Sequence, residues 1–166
     1  MVQFLTRRIS EKVDSMIAPS TKIETLLKGY KIQCPVSVIP SGIDLEKYAA
    51  QSRTGVRAQI RRKYGIAKET TVLLYVGRLA KEKNLEELLE YQQKVQESGT
   101  MLMIVGGGPY LEILRKKAAE LGVMESVIFT GMVSPEEVAS YYPAGDLFIS
   151  ASTSETQGLT YAEALA

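Results

Sequence analysis

The sequence predicts an α/β fold with a doubly wound parallel sheet of Rossmann-like type, and two observations carry this prediction. Short apolar runs rich in β-branched residues recur along the chain, and longer stretches with apolar residues at steps of three and four separate them. Buried parallel strands are typically continuous apolar runs, whereas a helix that covers a sheet carries one apolar stripe. Their alternation therefore indicates a doubly wound α/β sheet.

The individual strands and helices follow from these patterns in chain order. Apolar runs predict strands at residues 36–40, 71–77, 101–106, 126–131 and 146–151. Helical spacing predicts two covering helices, one through Leu85, Leu88, Leu89, Gln92 and Val95, and one through Leu111, Leu114, Ala118 and Leu121 that Gly122 closes.

The opening segment forms a unit of its own in this scheme. Residues 14–18 fit one more strand, and Ser20, a good N-cap residue, opens a helix over residues 21–28 that Gly29 ends. Residues 40–54, with Pro, Gly and Ser near their start, are typical of a linker. We therefore expect a boundary near residue 38, with residues 1–38 before it and residues 39–166 forming the main domain.

Composition excludes several classes of function. With 20 Lys and Arg against 19 Asp and Glu in 166 residues, the net charge of +1 gives no bulk attraction to nucleic acid or to a membrane. The chain has no histidine, so an imidazole base is excluded and the usual ligands of zinc are missing. Cys34 has no partner for an internal disulfide, and residues 1–10 lack the apolar run of a signal peptide, so we expect a cytoplasmic setting.

Polar and glycine residues cluster on one side of the predicted sheet. The loops that leave strands, at residues 77–84, 106–109, 131–134 and 152–158, carry glycine or small polar residues, whereas the opposite loops at 98–100 and 143–145 are brief and chemically plain. Ligands of open α/β sheets bind at the carboxyl ends of the strands. The asymmetry predicts one ligand-binding face.

Two of these loops suggest phosphate binding, although each also has a plain structural interpretation. Arg78 and Lys83 flank a strand-to-helix turn, where backbone N–H groups already favour an anion, and two cations there fit a diphosphate. Taken alone, Arg78 is equally well explained as a solvated arginine where a strand ends, with no role in binding phosphate. The glycines at 106–108 are better explained, taken alone, by a tight turn before a helix that starts at Pro109.

Leu111 stands where a dinucleotide-binding fingerprint needs glycine or alanine, which argues against a dehydrogenase.

The acids Glu155 and Glu163 are the most informative pair. Glu155 lies in the loop after the last strand, and residues 158–160 open the last helix, with Glu163 near its first turn. In the plain interpretation, Glu163 complements the helix dipole and Glu155 is a surface acid. In the functional one, the carboxylates accept hydrogen bonds from sugar hydroxyls while free amides at 158–160 bind phosphate oxygens.

Several motifs together resemble family 4 of the retaining glycosyltransferases, enzymes of the GT-B fold whose two Rossmann-like lobes face each other across a cleft. The matching segments are Ile-Pro-Ser-Gly-Ile-Asp at 39–44, Gly77-Arg78 with Lys83-Asn84, Gly-Gly-Gly-Pro at 106–109, Gly131, and Glu155 through Glu163-Ala164. The resemblance runs from about Arg8 to Ala166. It implies that residues 39–166 are most of the donor-binding lobe, truncated at its C-terminus, and that residues 1–38 end the acceptor lobe and the crossover.

The resemblance also implies roles for individual residues. Arg78 and Lys83 would hold the donor diphosphate, and backbone near Val133 would contact the base. Glu163, the second acid of the family's paired-glutamate motif, would bind the ribose hydroxyls, and Glu155, the first, would contact the transferred hexose as the catalytic residue. Amides for the phosphates and the sugar would come from Gly158, Leu159 and Thr160.

The family's chemistry is a front-face attack that retains anomeric configuration, with the leaving phosphate helping to accept the acceptor proton, and neither a metal nor another cofactor is required. This chain has Thr156-Gln157 where the common pattern has Gly-Phe. The variant Ser-Glu-Thr-Gln-Gly-Leu-Thr is similar to Gram-positive enzymes that glucosylate diacylglycerol. Without most of the acceptor lobe, we expect the chain alone to be inactive.

The resemblance implies a glycosyltransferase that binds a nucleotide sugar, with UDP-glucose as the leading donor and a membrane lipid as acceptor, at the inner face of the membrane. GDP-mannose or UDP-N-acetylglucosamine transferases are the nearest alternatives. A non-catalytic nucleotide-binding module is the alternative from another class, and intact Arg78, Lys83, Glu155 and Glu163 argue against it. For the basic run at residues 61–63, a solvated helix face is favoured over contact with anionic lipid.

Overall fold

The computed structural model describes residues 1–52 and 55–166. Within them the chain forms two compact units. The first contains Met1–Ile43 together with Glu155–Gly158, and the second contains Asp44–Ser154 together with Leu159–Ala166. The predicted boundary near residue 38, between the end of the acceptor lobe and the donor-binding lobe, stays a prediction. Arg53 and Thr54, the end of the predicted linker, lie outside the described residues.

The first unit is a strand–helix–strand arrangement preceded by one helix. Its elements are α1 (Val2–Ser10), β1 (Met16–Ala18), α2 (Thr21–Gly29) and β2 (Val36–Val38), and the strands β1 and β2 pair in parallel. Ser20 Oγ accepts a hydrogen bond of 3.4 Å from the Ile23 N–H, so the predicted cap and helix are confirmed. The parallel strand predicted at residues 36–40 is present as β2, which pairs with β1, but the prediction that it is buried is wrong because its residues are partly exposed.

The second unit contains the main sheet and its covering helices. Its elements in chain order are α3 (Leu45–Ser52), α4 (Val56–Lys63), β3 (Thr71–Val76), α5 (Leu85–Val95), β4 (Thr100–Val105), α6 (Leu111–Glu120), β5 (Val127–Phe129), β6 (Leu147–Phe148) and α7 (Leu159–Leu165). Short 3₁₀ helices lie at Lys81–Lys83, Gln96–Ser98, Met124–Ser126 and Val138–Ala144.

The four strands of this sheet are parallel and run in the order β5-β4-β3-β6. The order reverses between β3 and β6, so the chain covers one face on the way out to β5 and returns across the other. One apolar cluster includes Leu85, Leu89 and Leu114 from α5 and α6, and a second includes Ile60 from α4 and Tyr141. These two cores confirm the predicted doubly wound α/β fold.

The predicted linker at residues 40–54 is wrong over most of its described length. Asp44 Oδ1 accepts a hydrogen bond of 3.3 Å from the Lys47 N–H, and α3 begins at Leu45. Tyr48 on this helix is buried, with 9% of its surface exposed. The sequence signal was weak because α3 buries little more than this one aromatic residue, and tertiary packing decides its conformation.

The basic run at residues 61–63 is not a uniformly solvated helix face. Arg62 and Lys63 are exposed, but Arg61 is buried. The Arg61 guanidinium donates to the carbonyls of Ala144, Lys68 and Thr70 at 3.1 to 3.2 Å and to Asp146 Oδ2 at 2.6 Å. The prediction is therefore wrong for Arg61, which joins α4 to the amino ends of β3 and β6.

Candidate functional site

A cavity of about 280 Å³ lies at the carboxyl ends of β3 and β4. Small-molecule sites occupy roughly 300 to 1,000 Å³, so this cavity suits one portion of a nucleotide sugar better than the whole molecule. It lies on the face that the loop asymmetry predicts. The residues that line it are Val76, Gly77, Arg78, Val105, Gly106, Gly107, Met132, Val133, Pro135 and Val138.

Glycines at the cavity allow the loops after β3 and β4 to pack backbone against backbone. The Gly77 N–H donates to the Val105 carbonyl at 3.0 Å, and the Leu79 N–H donates to the Gly107 carbonyl at 2.9 Å. A Cβ on Gly106 would lie 2.1 Å from the Gly77 carbonyl oxygen, and one on Gly108 would lie 2.2 Å from that of Leu79. Contact between the two loops therefore accounts for both of these glycines. The predicted helix start at Pro109 is wrong, because α6 begins at Leu111.

Arg78 combines a fixed backbone with an exposed side chain. The Tyr75 hydroxyl donates to the Arg78 carbonyl at 3.2 Å, which holds the loop after β3. The guanidinium is 65% exposed and pairs with the carboxylate of Glu82, which is itself 42% exposed. An exposed pair of this kind contributes about 0 to 1 kcal/mol, so an anionic ligand can replace Glu82 at little cost.

Lys83 ends the same loop but does not line the cavity. Its N–H donates to the Ala80 carbonyl at 3.0 Å within the 3₁₀ helix Lys81–Lys83, and its side chain is half-buried. Asn84 follows in the left-handed conformation, with φ of 51°, and directs the chain into α5. The two predicted phosphate-binding cations thus share a loop, and Arg78 is the one at the cavity.

Val133 lines the same cavity as Arg78, in the loop that follows β5. This loop is fixed from two sides. Ser134 Oγ accepts a hydrogen bond of 3.3 Å from the Glu137 N–H, and Lys47 on α3 donates to the Pro135 carbonyl at 2.6 Å. Met132, whose side chain is 88% exposed, precedes Val133. The loop presents the apolar side chains of Met132 and Val133 to the cavity.

Glu163 is the fifth residue of α7, directly after the first turn, which agrees with its predicted place near that turn. Helix dipole effects fade beyond the first turn, and the dipole interpretation of Glu163 loses its basis. The carboxylate instead accepts a hydrogen bond from the Tyr142 hydroxyl. Burial, followed by the hydrogen bond to Glu163 and its charge, raises the pKa of Tyr142. Burial, then the charge of Glu163, raises the pKa of Tyr48 to about 12.

The remaining predicted residues divide between the two units. Leu159 and Thr160 begin α7 in the second unit, whereas Glu155 and Gly158 belong to the first. In that first unit Lys22 Nζ donates to the Glu155 carbonyl at 2.9 Å. Gly158 has φ of 66°, which favours glycine.

Sequence reasoning missed two groups of residues near the predicted site. The first group lines the cavity beyond the predicted loop 131–134 and contains Pro135 and Val138. The second contains Tyr142 and Tyr48, which surround Glu163. The sequence did contain one signal for the second group, the aromatic pair Tyr141-Tyr142 directly before Pro143. Two aromatic residues are unusual beside a chemically plain loop such as the one predicted at residues 143–145.

Metal and membrane features can be stated for the described part of the chain. Within residues 1–52 and 55–166, no group of three or more His, Cys, Asp or Glu residues is placed to hold a metal ion. Over these same stretches, no helix has both the length and the apolar character needed to span a bilayer.

Comparison with known proteins identifies a family and several relatives. Residues 56–166 match the family model described as glycosyl transferases group 1. The chain is 43% identical to the alpha-monoglucosyldiacylglycerol synthase of Streptococcus pneumoniae (strain ATCC BAA-255 / R6), over 100% of this chain and 38% of that protein. It is 36% identical to the enzyme of the same name from Acholeplasma laidlawii, over 90% of this chain and 38% of that protein. The chain therefore spans about two fifths of the length of these relatives.

A solved structure matches the fold. The crystal structure of Anabaena Alr3699/HepE in complex with UDP and glucose superimposes with a TM-score of 0.86 at 20% identity, over 98% of this chain and 45% of that one. At this identity the match is evidence for the fold, and it agrees with the parallel sheet described above.

Proposed function

The chain belongs to the group 1 glycosyl transferases, and on this premise we propose that it binds a nucleotide-sugar donor, UDP-glucose, for transfer of the hexose to a diacylglycerol lipid. The donor-binding part of such an enzyme must hold a base, a ribose, a diphosphate and a sugar. Residues 39–166 would supply this part, and residues 1–38 would belong to the acceptor lobe.

The observation that carries the proposal is the cavity that Arg78 shares with Val133. An apolar wall beside an exposed guanidinium suits a nucleotide, whose base is flat and partly apolar and whose phosphates are anionic. The Arg78 guanidinium pairs with an exposed carboxylate, that of Glu82, and can exchange this partner for a diphosphate. Lys83, from the other end of the loop, would add the second positive charge.

The two glutamates would bind the ribose and the hexose of the donor. Glu163 would accept hydrogen bonds from the ribose hydroxyls, and Glu155 would contact the transferred hexose as the catalytic residue. The amides of Gly158, Leu159 and Thr160 would bind phosphate and sugar oxygens. These assignments rest on the position of each residue in the paired-glutamate motif, and we propose them for this chain on that basis.

The choice of a glucosyl donor and a lipid acceptor is supported by the names of the two curated relatives, both alpha-monoglucosyldiacylglycerol synthases. It is also supported by the segment Ser154–Thr160, which has Thr156-Gln157 where the family commonly has Gly-Phe. An enzyme that uses such an acceptor would work at the inner face of the membrane.

Competition binding tests the donor. UDP-glucose, GDP-mannose and UDP-N-acetylglucosamine are titrated separately against the chain and then in competition with UDP. We expect UDP-glucose to bind most tightly and UDP to compete with it fully. Tighter binding of GDP-mannose would overturn the choice of base, and tighter binding of UDP-N-acetylglucosamine would overturn the choice of sugar.

A second titration separates the two glutamates. Because UDP contains the ribose, Glu163→Gln should weaken UDP and UDP-glucose alike. Glu155→Gln should leave UDP binding unchanged and reduce only the increment in affinity that glucose adds, and in the whole enzyme it should lower turnover more than donor binding. Equal weakening of both ligands by Glu155→Gln would remove its assignment to the sugar.

A further inference from the structure

Glu163 is held by an aromatic cluster that the paired-glutamate motif does not include. The Tyr142 hydroxyl donates to Glu163 Oε2, and the Tyr142 ring packs edge-on against Tyr48, with ring centroids 5.5 Å apart. On its other side the Tyr142 ring lies 6.1 Å from the ring of Phe148 on β6, which in turn packs edge-on against Tyr161 on α7 at 5.3 Å.

This cluster fixes the Tyr142 ring without help from the hydroxyl. Ring contacts on both sides restrict the Tyr142 side chain, so its hydroxyl oxygen is held at one position beside α7. The bond to a carboxylate is charge-assisted and fixes Glu163 Oε2. A carboxylate offers about four acceptor positions, so Oε1 can still accept hydrogen bonds from a ligand.

The position of Tyr142 along the chain connects this arrangement to the cavity. Tyr142 and Val138 belong to the same 3₁₀ helix, Val138–Ala144, and Val138 lines the cavity that contains Arg78 and Val133. The element that forms part of the cavity wall therefore also carries the hydroxyl that holds Glu163.

We propose that Tyr142 is a positioning residue, whose hydroxyl holds the Glu163 carboxylate in the orientation that accepts the ribose hydroxyls of the donor. This inference rests on the proposed ribose contact of Glu163. A glutamate side chain has three rotatable bonds, and fixing it on binding reduces affinity. A carboxylate that Tyr142 already holds avoids most of this cost.

A purely structural role for the same bond makes a different prediction. If the bond only joins α7 to the 3₁₀ helix, its loss lowers stability and affects every nucleotide equally. If it orients Glu163, its loss affects only ligands that carry ribose hydroxyls. Comparing UDP with 2′,3′-dideoxy-UDP on the same folded protein separates the two roles, because both ligands share base and diphosphate.

The test uses Tyr142→Phe, which removes the hydroxyl and keeps the ring contacts. We expect UDP to bind about 3- to 10-fold more weakly, the range for one hydrogen bond, while dideoxy-UDP binds within about twofold of its affinity for the unaltered chain. The preference for UDP over the dideoxy analogue should fall by the same factor. Tyr141→Phe is the matched control, since the Tyr141 hydroxyl in the same 3₁₀ helix bonds to Lys63 and Tyr64 instead.

Glu163→Gln distinguishes failure of this inference from failure of the proposed function. If Glu163→Gln abolishes the preference for UDP over the dideoxy analogue but Tyr142→Phe behaves like Tyr141→Phe, the positioning role is overturned and the ribose contact stands. Equal weakening of both ligands by Tyr142→Phe also overturns the positioning role. If Glu163→Gln leaves the preference unchanged, the ribose contact itself fails and the inference fails with it.

Discussion

Arg61 and Arg78 lie at opposite edges of the same four-stranded sheet and are in opposite situations. At the amino ends of the strands, Arg61 is buried, and its guanidinium donates to three carbonyls and to Asp146. At the carboxyl ends, the Arg78 side chain is 65% exposed and pairs with exposed Glu82. Both are followed by further basic residues in the sequence, so charge alone does not distinguish them.

The two arginines differ in how many of their guanidinium N–H groups already donate hydrogen bonds to other groups of the protein. A guanidinium that makes four hydrogen bonds within the protein, as that of Arg61 does, stabilises the fold and has little capacity left for a ligand. A guanidinium that pairs with one exposed carboxylate contributes little to stability and can exchange that partner for a phosphate. We therefore assign stability to the amino edge of the sheet and binding to the carboxyl edge.

The largest effect on stability should come from Arg61→Ala. The change leaves the carbonyls of Lys68, Thr70 and Ala144 without this donor, and an acceptor left unsatisfied costs about 1 to 3 kcal/mol. We expect a loss of about 4 kcal/mol in the free energy of unfolding, measured with urea. Arg62→Ala, which removes an exposed charge from the same helix, is the control. A loss of similar size in both variants would contradict the assignment.

Gly106→Ala tests whether the carboxyl edge also contains purely structural residues. Its Cβ would lie 2.1 Å from the Gly77 carbonyl oxygen, and φ of 133° disfavours any side chain. Overpacking and backbone strain each cost about 1 to 3 kcal/mol, so we expect destabilisation of about 3 kcal/mol. Gly29→Ala, where the added Cβ meets nothing within 4 Å, should be nearly neutral. Unchanged thermal stability of Gly106→Ala would show that the two loops are not tightly packed.

Arg78→Ala should weaken ligand binding and leave stability nearly unchanged, whereas Arg61→Ala should mainly lower stability. We expect UDP affinity to fall by about 1.5 to 3 kcal/mol, the range for a charge-assisted hydrogen bond, while the free energy of unfolding changes by less than about 0.5 kcal/mol. Lys83→Ala should behave in the same direction. Lys81→Ala removes an exposed charge from the same loop and controls for general electrostatic attraction. If Arg78→Ala lowers stability but leaves affinity intact, Arg78 is a structural residue.

The smallest effect should be an acid-dependent loss of stability that depends on Asp146. Burial tends to raise the pKa of Asp146, but hydrogen bonds from the Val72 N–H and Arg57, with the charges of Arg57 and Arg61, hold that pKa below its ordinary value. The stabilisation is complete above the unfolded pKa of about 3.9 and is lost as pH falls through the lower folded pKa.

Asp146→Asn provides the comparison for this pH dependence. Urea unfolding from pH 6 down to pH 2 should show the difference in stability between the unaltered chain and Asp146→Asn shrinking below about pH 4. A difference that stays constant over this range would show that the charge of Asp146 does not contribute.

The main sheet was predictable because its signals are local. Continuous apolar runs located β3 and β4 to within a residue, and the stripe through Leu85, Leu88 and Leu89 located α5. The helix α3 was missed because its stability comes from contacts with distant segments, such as Lys47 with Pro135 and Tyr48 with Tyr142. Local composition near Pro40 favoured a linker and contained no information about those contacts.

The candidate site was predictable where the family motif names a residue, and less so where neighbours fix its conformation. The motif singled out Arg78 and Val133, which the structure brings to one cavity. It also singled out Glu163, but its partner Tyr142 lies 21 positions earlier in the chain. Arg61 was misjudged because three of its acceptors are backbone carbonyls, which carry no signal in the sequence, and the fourth, Asp146, lies 85 positions later.

Titration of UDP-glucose in the presence of EDTA tests most directly the claim that the carboxyl edge binds a nucleotide sugar without a metal. Isothermal calorimetry should show saturable binding at one site per chain, with the same dissociation constant in EDTA as in magnesium, because we propose that Arg78, Lys83 and backbone amides neutralise the diphosphate. Binding that appears only after magnesium or manganese is added would contradict the account.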